Sequence, residues 1–240
     1  MNKENKEIPL PTTKYSALEG IELVQLNGGI ERKVKATSLW EKKPLLIMVV
    51  RRPGCQLCRE EVIRYAQQRD LITNKLGIPM IAVVHERIDD EVEQFNNGFW
   101  SGDVYYDEKK EFYNALGGGA LRWGGYLSSI FKPSVWSNIN RNRQTNVNGN
   151  FKGEGRILGG LYVLRPGNSG IAYEYREKVW GDHAPFAHVM AVLQQLSPNG
   201  NDEDVREAVK NAVENEGKVK STKGQEEGEG MACVKDGPCQ

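Results

Sequence analysis

The chain has 240 residues, with 32 Lys or Arg balanced by 32 Asp or Glu. That length allows one well-packed domain with extensions, or at most two small ones. The zero net charge excludes a bulk electrostatic preference for nucleic acid or a membrane surface, and the longest apolar runs are far short of a membrane span.

Taken in order, residues 1–15 are polar with two prolines and are expected to be disordered. They lack the apolar core of a signal peptide and the Arg-rich bias of a transit sequence, so the expected location is cytoplasmic, where thiols are kept reduced. Leu45–Val50 is continuously apolar, as a central strand covered on both faces should be. The sequence RRPGCQLCR follows at 51–59. Val62, Ala66, Arg69, Ile72 and Leu76 then recur at helical spacing up to Gly77. Ile78–Val84 reads as a second buried strand ending in His85 and Glu86 on the same sheet edge as the cysteines; His85 reads as a neighbour of the thiols or, in preference, as an ordinary edge residue. Asp90 and Glu93 have the spacing of a capping box. Asp103–Tyr106 reads as a short strand and Lys109–Leu116 as a short helix stopped by Gly117–Gly119.

An insertion over about 120–154 holds Trp123, Tyr126, Phe131, Trp136 and Phe151. It reads as short helices with the aromatics as core, or as a cover building an apolar pocket beside the thiols. Ile157–Leu164 and Ile171–Tyr175 form two strands joined by a Pro-Gly turn, and Pro185–Leu196 closes the domain as a helix. Beyond Pro198 the chain is polar, with a short helix possible over 203–215. The predicted organisation is therefore a disordered segment at 1–15, a domain at 16–197, and a polar, largely disordered tail at 198–240. The fold class is α/β: a thioredoxin-like fold, with a central mixed sheet flanked by helices and a helical, aromatic insertion before the C-terminal hairpin.

Cys55 and Cys58 form a CxxC between a strand and a helix, which reads as a thioredoxin-like redox pair. Free N–H groups and the dipole at a helix N-terminus favour a thiolate. Arg51, Arg52 and Arg59 push the same way. Chemistry in open α/β sheets gathers beyond the carboxyl ends of the strands, where this pair lies. Two blander readings are a pair of buried structural cysteines and half a zinc site. Zinc wants four ligands, and Cys233, Cys239, His183 and His188 all lie far downstream. Gly117–Gly119 and Gly159–Gly160 have the wrong spacing for a nucleotide fingerprint and read as a helix stop and a close-packed strand start. No bound cofactor or metal is expected.

The chain from about 37 to 195 resembles the peroxiredoxin-like 2 family, a thioredoxin-fold branch of the AhpC/TSA superfamily. SLWEKK at 38–43, RRPGCQLCREE at 51–61, IAVVHE at 81–86, YDEKKEFY at 106–113, GEGRILGGLYVL at 153–164 and YREKVWGDHAP at 175–185 carry the resemblance. The long insertion favours the 2A type, sister to the 2B type known as a prostamide/prostaglandin F synthase. The resemblance implies a redox role for Cys55 and Cys58, with Arg52, Arg59 and Glu61 in support. Set against ordinary peroxiredoxins, Cys55 falls on the Thr position, Cys58 on the peroxide-reacting position and Glu61 on the Glu position. That alignment has Cys58 attack, whereas the thioredoxin analogy has Cys55 attack. Arg156 and Arg165 are candidates for a second activating arginine. The implied chemistry is reduction of a peroxide, lipid peroxide or endoperoxide, with electrons from thioredoxin or glutathione and ultimately NADPH. A non-enzymatic redox sensor and a general disulfide reductase are the rival readings. Cys233 and Cys239 read as free thiols in the tail, a second disulfide, or an electron shuttle.

Overall fold

The computed structural model describes residues 7–26, 31–124 and 147–216. Cys233, Cys239, Tyr126, Phe131 and Trp136 lie outside the described residues. The elements run β1 (Glu22–Gln25), β2 (Arg32–Lys35), β3 (Leu45–Val49), α1 (Gln56–Ala66), β4 (Met80–Val84), α2 (Glu91–Phe95), β5 (Asp103–Tyr106) and α3 (Glu111–Leu116), then β6 (Gly160–Leu164), β7 (Ile171–Arg176), α4 (Phe186–Leu196) and α5 (Glu203–Glu214). The strands form one mixed sheet in the order β2-β1-β5-β4-β3-β6-β7. β3, β4 and β5 are parallel, because helices carry the chain back between them. β6 and β7 add antiparallel strands next to β3, and β1 and β2 add an antiparallel hairpin beyond β5. The sheet with helices around it is a thioredoxin-like α/β arrangement.

The continuous apolar run of β3 is explained by the two cores it divides. Alternate residues point to opposite faces of a strand. Leu46 and Met48 face one layer, with Tyr65 of α1, Val189, Met190 and Leu193 of α4, and Trp100. Leu45, Ile47 and Val49 face the other, with Trp40, Phe112, Tyr113 and Leu116. Each such side chain, fully buried, contributes about 1.5–3 kcal/mol relative to its exposed state. No described helix is long and apolar enough to cross a membrane.

Three expectations change and one is borne out. Thr12 and Thr13, read as part of a disordered terminus, are pinned to β7: both backbone N–H groups donate to the Glu174 carboxylate, at 2.8 and 2.9 Å. The short helix expected over 203–215 is present as α5, which buries Val205, Val209 and Ala212 against α4 and the π-helical segment Asp70–Lys75. The hairpin β1–β2 was not expected, since RKVK has one apolar residue and β2 is largely exposed. Its lysines suit an edge strand, where they oppose pairing with another chain. Finally, the Asp90/Glu93 capping box does not form: the Asp90 side chain makes no cap hydrogen bond and instead accepts from the Gln94 amide.

The glycines at the start of β6 do what their spacing suggested. A Cβ on Gly159 would lie 2.1 Å from the Val49 carbonyl oxygen and 3.0 Å from the Arg51 nitrogen. Both are backbone atoms and cannot swing aside. Gly159→Ala is therefore expected to destabilise the fold by roughly 2–3 kcal/mol, the upper part of the overpacking range. The urea midpoint measures this; an unchanged midpoint would mean that β3 and β6 can separate freely at this point.

Candidate thiol site

β3 ends at Val49, and its last ladder bond, from the Val50 N–H to the Val83 carbonyl, is 2.8 Å long. The chain then turns through Arg51–Gly54, closed by a 3.2 Å bond from the Cys55 N–H to the Arg52 carbonyl. Cys55 is the N-cap of α1, with extended backbone (φ −80°, ψ 126°), and its carbonyl accepts the first helical bond from Arg59. Its sulfur thus sits where the free N–H groups of the first turn converge. Cys55 and Cys58 are both buried, at 7 % and 6 % exposure, so a reagent cannot reach either sulfur without some movement of what covers them.

The Arg51 Nη2 donates to the Cys55 sulfur at 2.7 Å, inside a buried site. The same guanidinium places Nη1 on the Gly155 carbonyl at 2.6 Å and Nε 3.5 Å from Glu177 Oε1, and its face lies over the Trp180 ring. Glu177 is itself held by the N–H groups of Gly159 (3.0 Å) and Gly181 (3.2 Å). The two sulfurs are driven apart in acidity. The Cys55 thiol is held well below the usual range by a hydrogen bond from the Cys58 thiol. The Arg51 charge and the Cys58 backbone N–H add to this, against a burial cost. Cys58 is pushed well above the usual range by the hydrogen bond it gives to Cys55, by burial and by the negative charge of Cys55. This geometry favours Cys55 as the thiolate and Cys58 as the protonated partner.

The other arginines add their charge at longer range and chiefly hold backbone carbonyls. Arg52 donates to the carbonyls of Lys152 (2.8 Å) and Asn150 and stacks over Phe151. Its charge reaches Cys55 only as a lesser influence. Arg59 donates to the carbonyls of Pro53 (2.8 Å) and Asn148 (2.8 Å) and pairs with Glu91 at 3.3 Å. Together with Arg51, these side chains strap the segment 148–155 over the cysteine turn. Glycine permits the close fit: a Cβ on Gly149 would lie 2.5 Å from the Gln56 nitrogen, and one on Gly54 would strike the Glu91 carboxylate. The end of the insertion therefore covers the thiols, but not as an apolar core. Of its aromatics, the described Trp123 and Phe151 are exposed, at 55 % and 89 %. Arg156 pairs with Glu154 at the surface, and Arg165 donates to the Ile171 carbonyl. The guanidinium that meets the Cys55 sulfur is that of Arg51.

Glu61 lies one turn beyond Cys58 on α1 and is pushed up to about 8. Burial is the main cause and the Glu177 charge adds to it, while Arg64 and the Ala184 N–H oppose the shift. The folded state therefore prefers the neutral acid. A pKa raised by folding means stability fully present below the unfolded value, near 4.5, and lost as pH rises through the folded one. Glu61→Gln stays neutral at every pH. It is expected to match the wild type at pH 4.5 and to exceed its stability by on the order of 2 kcal/mol at pH 8.5. Urea midpoints at the two pH values check this; equal differences at both would mean that Glu61 ionises like a surface carboxylate.

One residue escaped the sequence reading, and another was placed near the thiols only as its second choice. Glu177 sits inside the quoted YREKVWGDHAP stretch, yet nothing in a lone acid after a strand signals a guanidinium partner. His85, read as an ordinary edge residue, is 3 % exposed and bonded at 2.8 Å to the Arg51 carbonyl. Among the described residues, no group of three or more His, Cys, Asp or Glu side chains is placed to hold a metal ion.

Comparison with known proteins places the chain in a family. A family model described as AhpC/TSA antioxidant enzyme matches residues 66–179, a stretch that includes His85 and Glu177 but begins after Cys58. Peroxiredoxin-like 2A of Gallus gallus is 37 % identical over 199 residues, covering 82 % of this chain and 86 % of that protein. Peroxiredoxin-like 2A of Homo sapiens is 37 % identical over 196 residues, covering 81 % and 82 %. Among solved structures, a cysteine-to-serine mutant of peroxiredoxin 6 of Arenicola marina superposes with a TM-score of 0.51 at 12 % identity, covering 78 % of this chain and 74 % of that one. That likeness speaks for the fold alone.

Proposed function

The chain belongs to the peroxiredoxin-like 2 family, and on that premise we propose that it is a dithiol oxidoreductase that reduces peroxides through Cys55 and Cys58. The observation that carries the reading is the 2.7 Å bond from Arg51 to the Cys55 sulfur at the N-terminus of α1. A thiolate held there attacks one oxygen of an O–O bond. Cys55 gains that oxygen as a sulfenic acid, and the other oxygen leaves as an alcohol or water after taking a proton. Cys58 then condenses with the sulfenic acid, forming the Cys55–Cys58 disulfide and releasing water. Two electrons and two protons from a thiol reductant, thioredoxin or glutathione supplied ultimately by NADPH, restore the dithiol. Hydrogen peroxide and lipid hydroperoxides follow this course; an endoperoxide, whose oxygens both stay on carbon, gives a Cys55 sulfenate ester instead, from which Cys58 displaces the second oxygen as an alcohol while forming the same disulfide. Supporting residues divide by what they touch: Arg51 meets the sulfur, Glu177 meets Arg51, and Arg52 and Arg59 hold the cover.

The test is NADPH consumption with thioredoxin and its reductase, or with glutathione and its reductase. Hydrogen peroxide, a fatty-acid hydroperoxide and a prostaglandin endoperoxide are supplied in turn. Turnover that disappears in Cys55→Ser and Cys58→Ser supports the dithiol enzyme, and the preferred oxidant names the substrate class. Failure of every oxidant, with the pair still oxidising reversibly, would transfer the reading to a redox sensor. The burial of both sulfurs under the strap favours that second reading. Rapid insulin reduction without peroxide turnover would point to a disulfide reductase.

A further inference from the structure

We propose that His85, backed by Tyr113, is a positioning residue that aims the Arg51 guanidinium at the Cys55 sulfur. This rests on the reading of Cys55 as the attacking thiolate. The argument starts from the end of a strand. Where β3 leaves the sheet, the carbonyls of Val50 and Arg51 no longer have neighbours in the ladder, and a buried carbonyl without a donor is costly. Two side chains supply the donors. The Tyr113 hydroxyl donates to the Val50 carbonyl at 2.7 Å and lies 3.1 Å from that of Val83. The His85 Nε2 lies 2.8 Å from the Arg51 carbonyl oxygen. That oxygen can only accept, so Nε2 carries the hydrogen. The His85 ring meets the Tyr113 ring edge-on, with centroids 4.8 Å apart, and both side chains are buried.

The parallel pairing of β3 and β4 explains why His85 is there. Val49 lies opposite Val83, so the residue just past β4 falls beside the turn just past β3. Burial also fixes its chemical form. The imidazole is pushed down to about 4, with the bond to the Arg51 carbonyl working against that fall. It is therefore a neutral ring with one N–H, aimed at one acceptor, through the whole physiological range. Holding the Arg51 carbonyl fixes the peptide between Arg51 and Arg52, and with it the direction of the Arg51 Cα–Cβ bond. The side chain is then held at its root by His85 and at its tip by Gly155, Glu177 and Cys55. Without the donor at Arg51, that peptide is free to swing, and the 2.7 Å contact to sulfur is the bond with most to lose.

The experiment follows alkylation of Cys55 in the reduced full-length protein by iodoacetamide across pH 4–10, with the modified peptide quantified by mass spectrometry. His85→Met removes the N–H at similar volume, His85→Gln restores an amide N–H, and Arg51→Gln is the reference. The midpoint of the His85→Met profile is expected to rise by about one pH unit, a roughly tenfold slower reaction below the midpoint. His85→Gln is expected to return to the wild-type midpoint. A purely structural histidine would lower the melting temperature without moving either midpoint. A His85→Met profile that overlays the wild type while Arg51→Gln shifts would overturn the role of His85 alone. If Arg51→Gln also overlays, the reading of Arg51 as partner of the thiolate fails, and the proposal with it. Should His85→Met not fold, Tyr113→Phe carries the test, since it deletes only the neighbouring donor: an upward shift supports the pair, and an overlay overturns it.

Discussion

Cys55→Ser is expected to abolish peroxide consumption entirely, whereas Cys58→Ser keeps one stoichiometric event per chain. The difference follows from the unequal acidity of the two sulfurs. Cys55 accepts hydrogen bonds from the Cys58 thiol and backbone N–H and faces the Arg51 cation, so it is the sulfur of the pair on which negative charge is favoured. Cys58 is the donor in that pair and keeps its proton. Removing Cys55 removes the nucleophile, and the remaining thiol falls below the wild-type rate by several orders of magnitude, as loss of a covalent nucleophile does. Removing Cys58 leaves the first attack possible and deletes the resolving step. A sulfenic acid on Cys55 should then accumulate and be captured by dimedone, with no NADPH-coupled turnover. Cys58→Ser also deletes the thiol that does most to lower the Cys55 pKa, although a serine hydroxyl restores part of that bond. The single event should therefore be slower than in the wild type at neutral pH and recover at higher pH. The opposite labelling pattern, with sulfenic acid on Cys58 in the Cys55→Ser chain, would mean that the peroxiredoxin alignment gives the roles correctly and the electrostatics do not.

Much of the frame was legible because burial on both faces leaves an unmistakable composition. Leu45–Val50 and Ile78–Val84 announced adjacent parallel strands, and the CxxC between the first of them and a helix marked the candidate site. What could not be read has a common physical cause: the partner is a backbone atom or a distant acid. Arg52 and Arg59 serve carbonyls of Asn148, Asn150 and Lys152, and a carbonyl has no residue type to recognise. The three neighbouring arginines looked alike, yet only Arg51 reaches the sulfur, a choice made by the turn rather than by charge. Thr12 and Thr13 are ordered by a carboxylate more than a hundred residues away, which local composition cannot reveal. β2 is held by its ladder to β1 rather than by an apolar face, so no periodicity marks it.

The strap and the thiolate share one side chain, and that makes Arg51 the second substitution of large effect. Arg51→Gln is expected to slow the reaction of Cys55 with hydrogen peroxide by about 10- to 100-fold at pH 7, from the one to two pH units that a close opposite charge typically supplies. The sign is fixed. Arg51 stabilises the anion, so its loss raises the Cys55 pKa and shrinks the thiolate fraction at neutral pH. Rates measured by stopped flow should therefore converge with the wild type as pH rises toward 9–10. Arg51→Lys should fall between the two, because lysine keeps a charge but cannot place separate donors on Gly155 and Cys55 while facing Glu177. The same substitution frees the Gly155 carbonyl and loosens the strap, which should make Cys55 more accessible to bulky maleimides than in the wild type. The two effects oppose each other in any single rate and separate only when pH and reagent size are varied independently. A lower rate at every pH with an unmoved midpoint would mean that Arg51 acts on the departing oxygen during O–O cleavage rather than on the ionisation of the thiol.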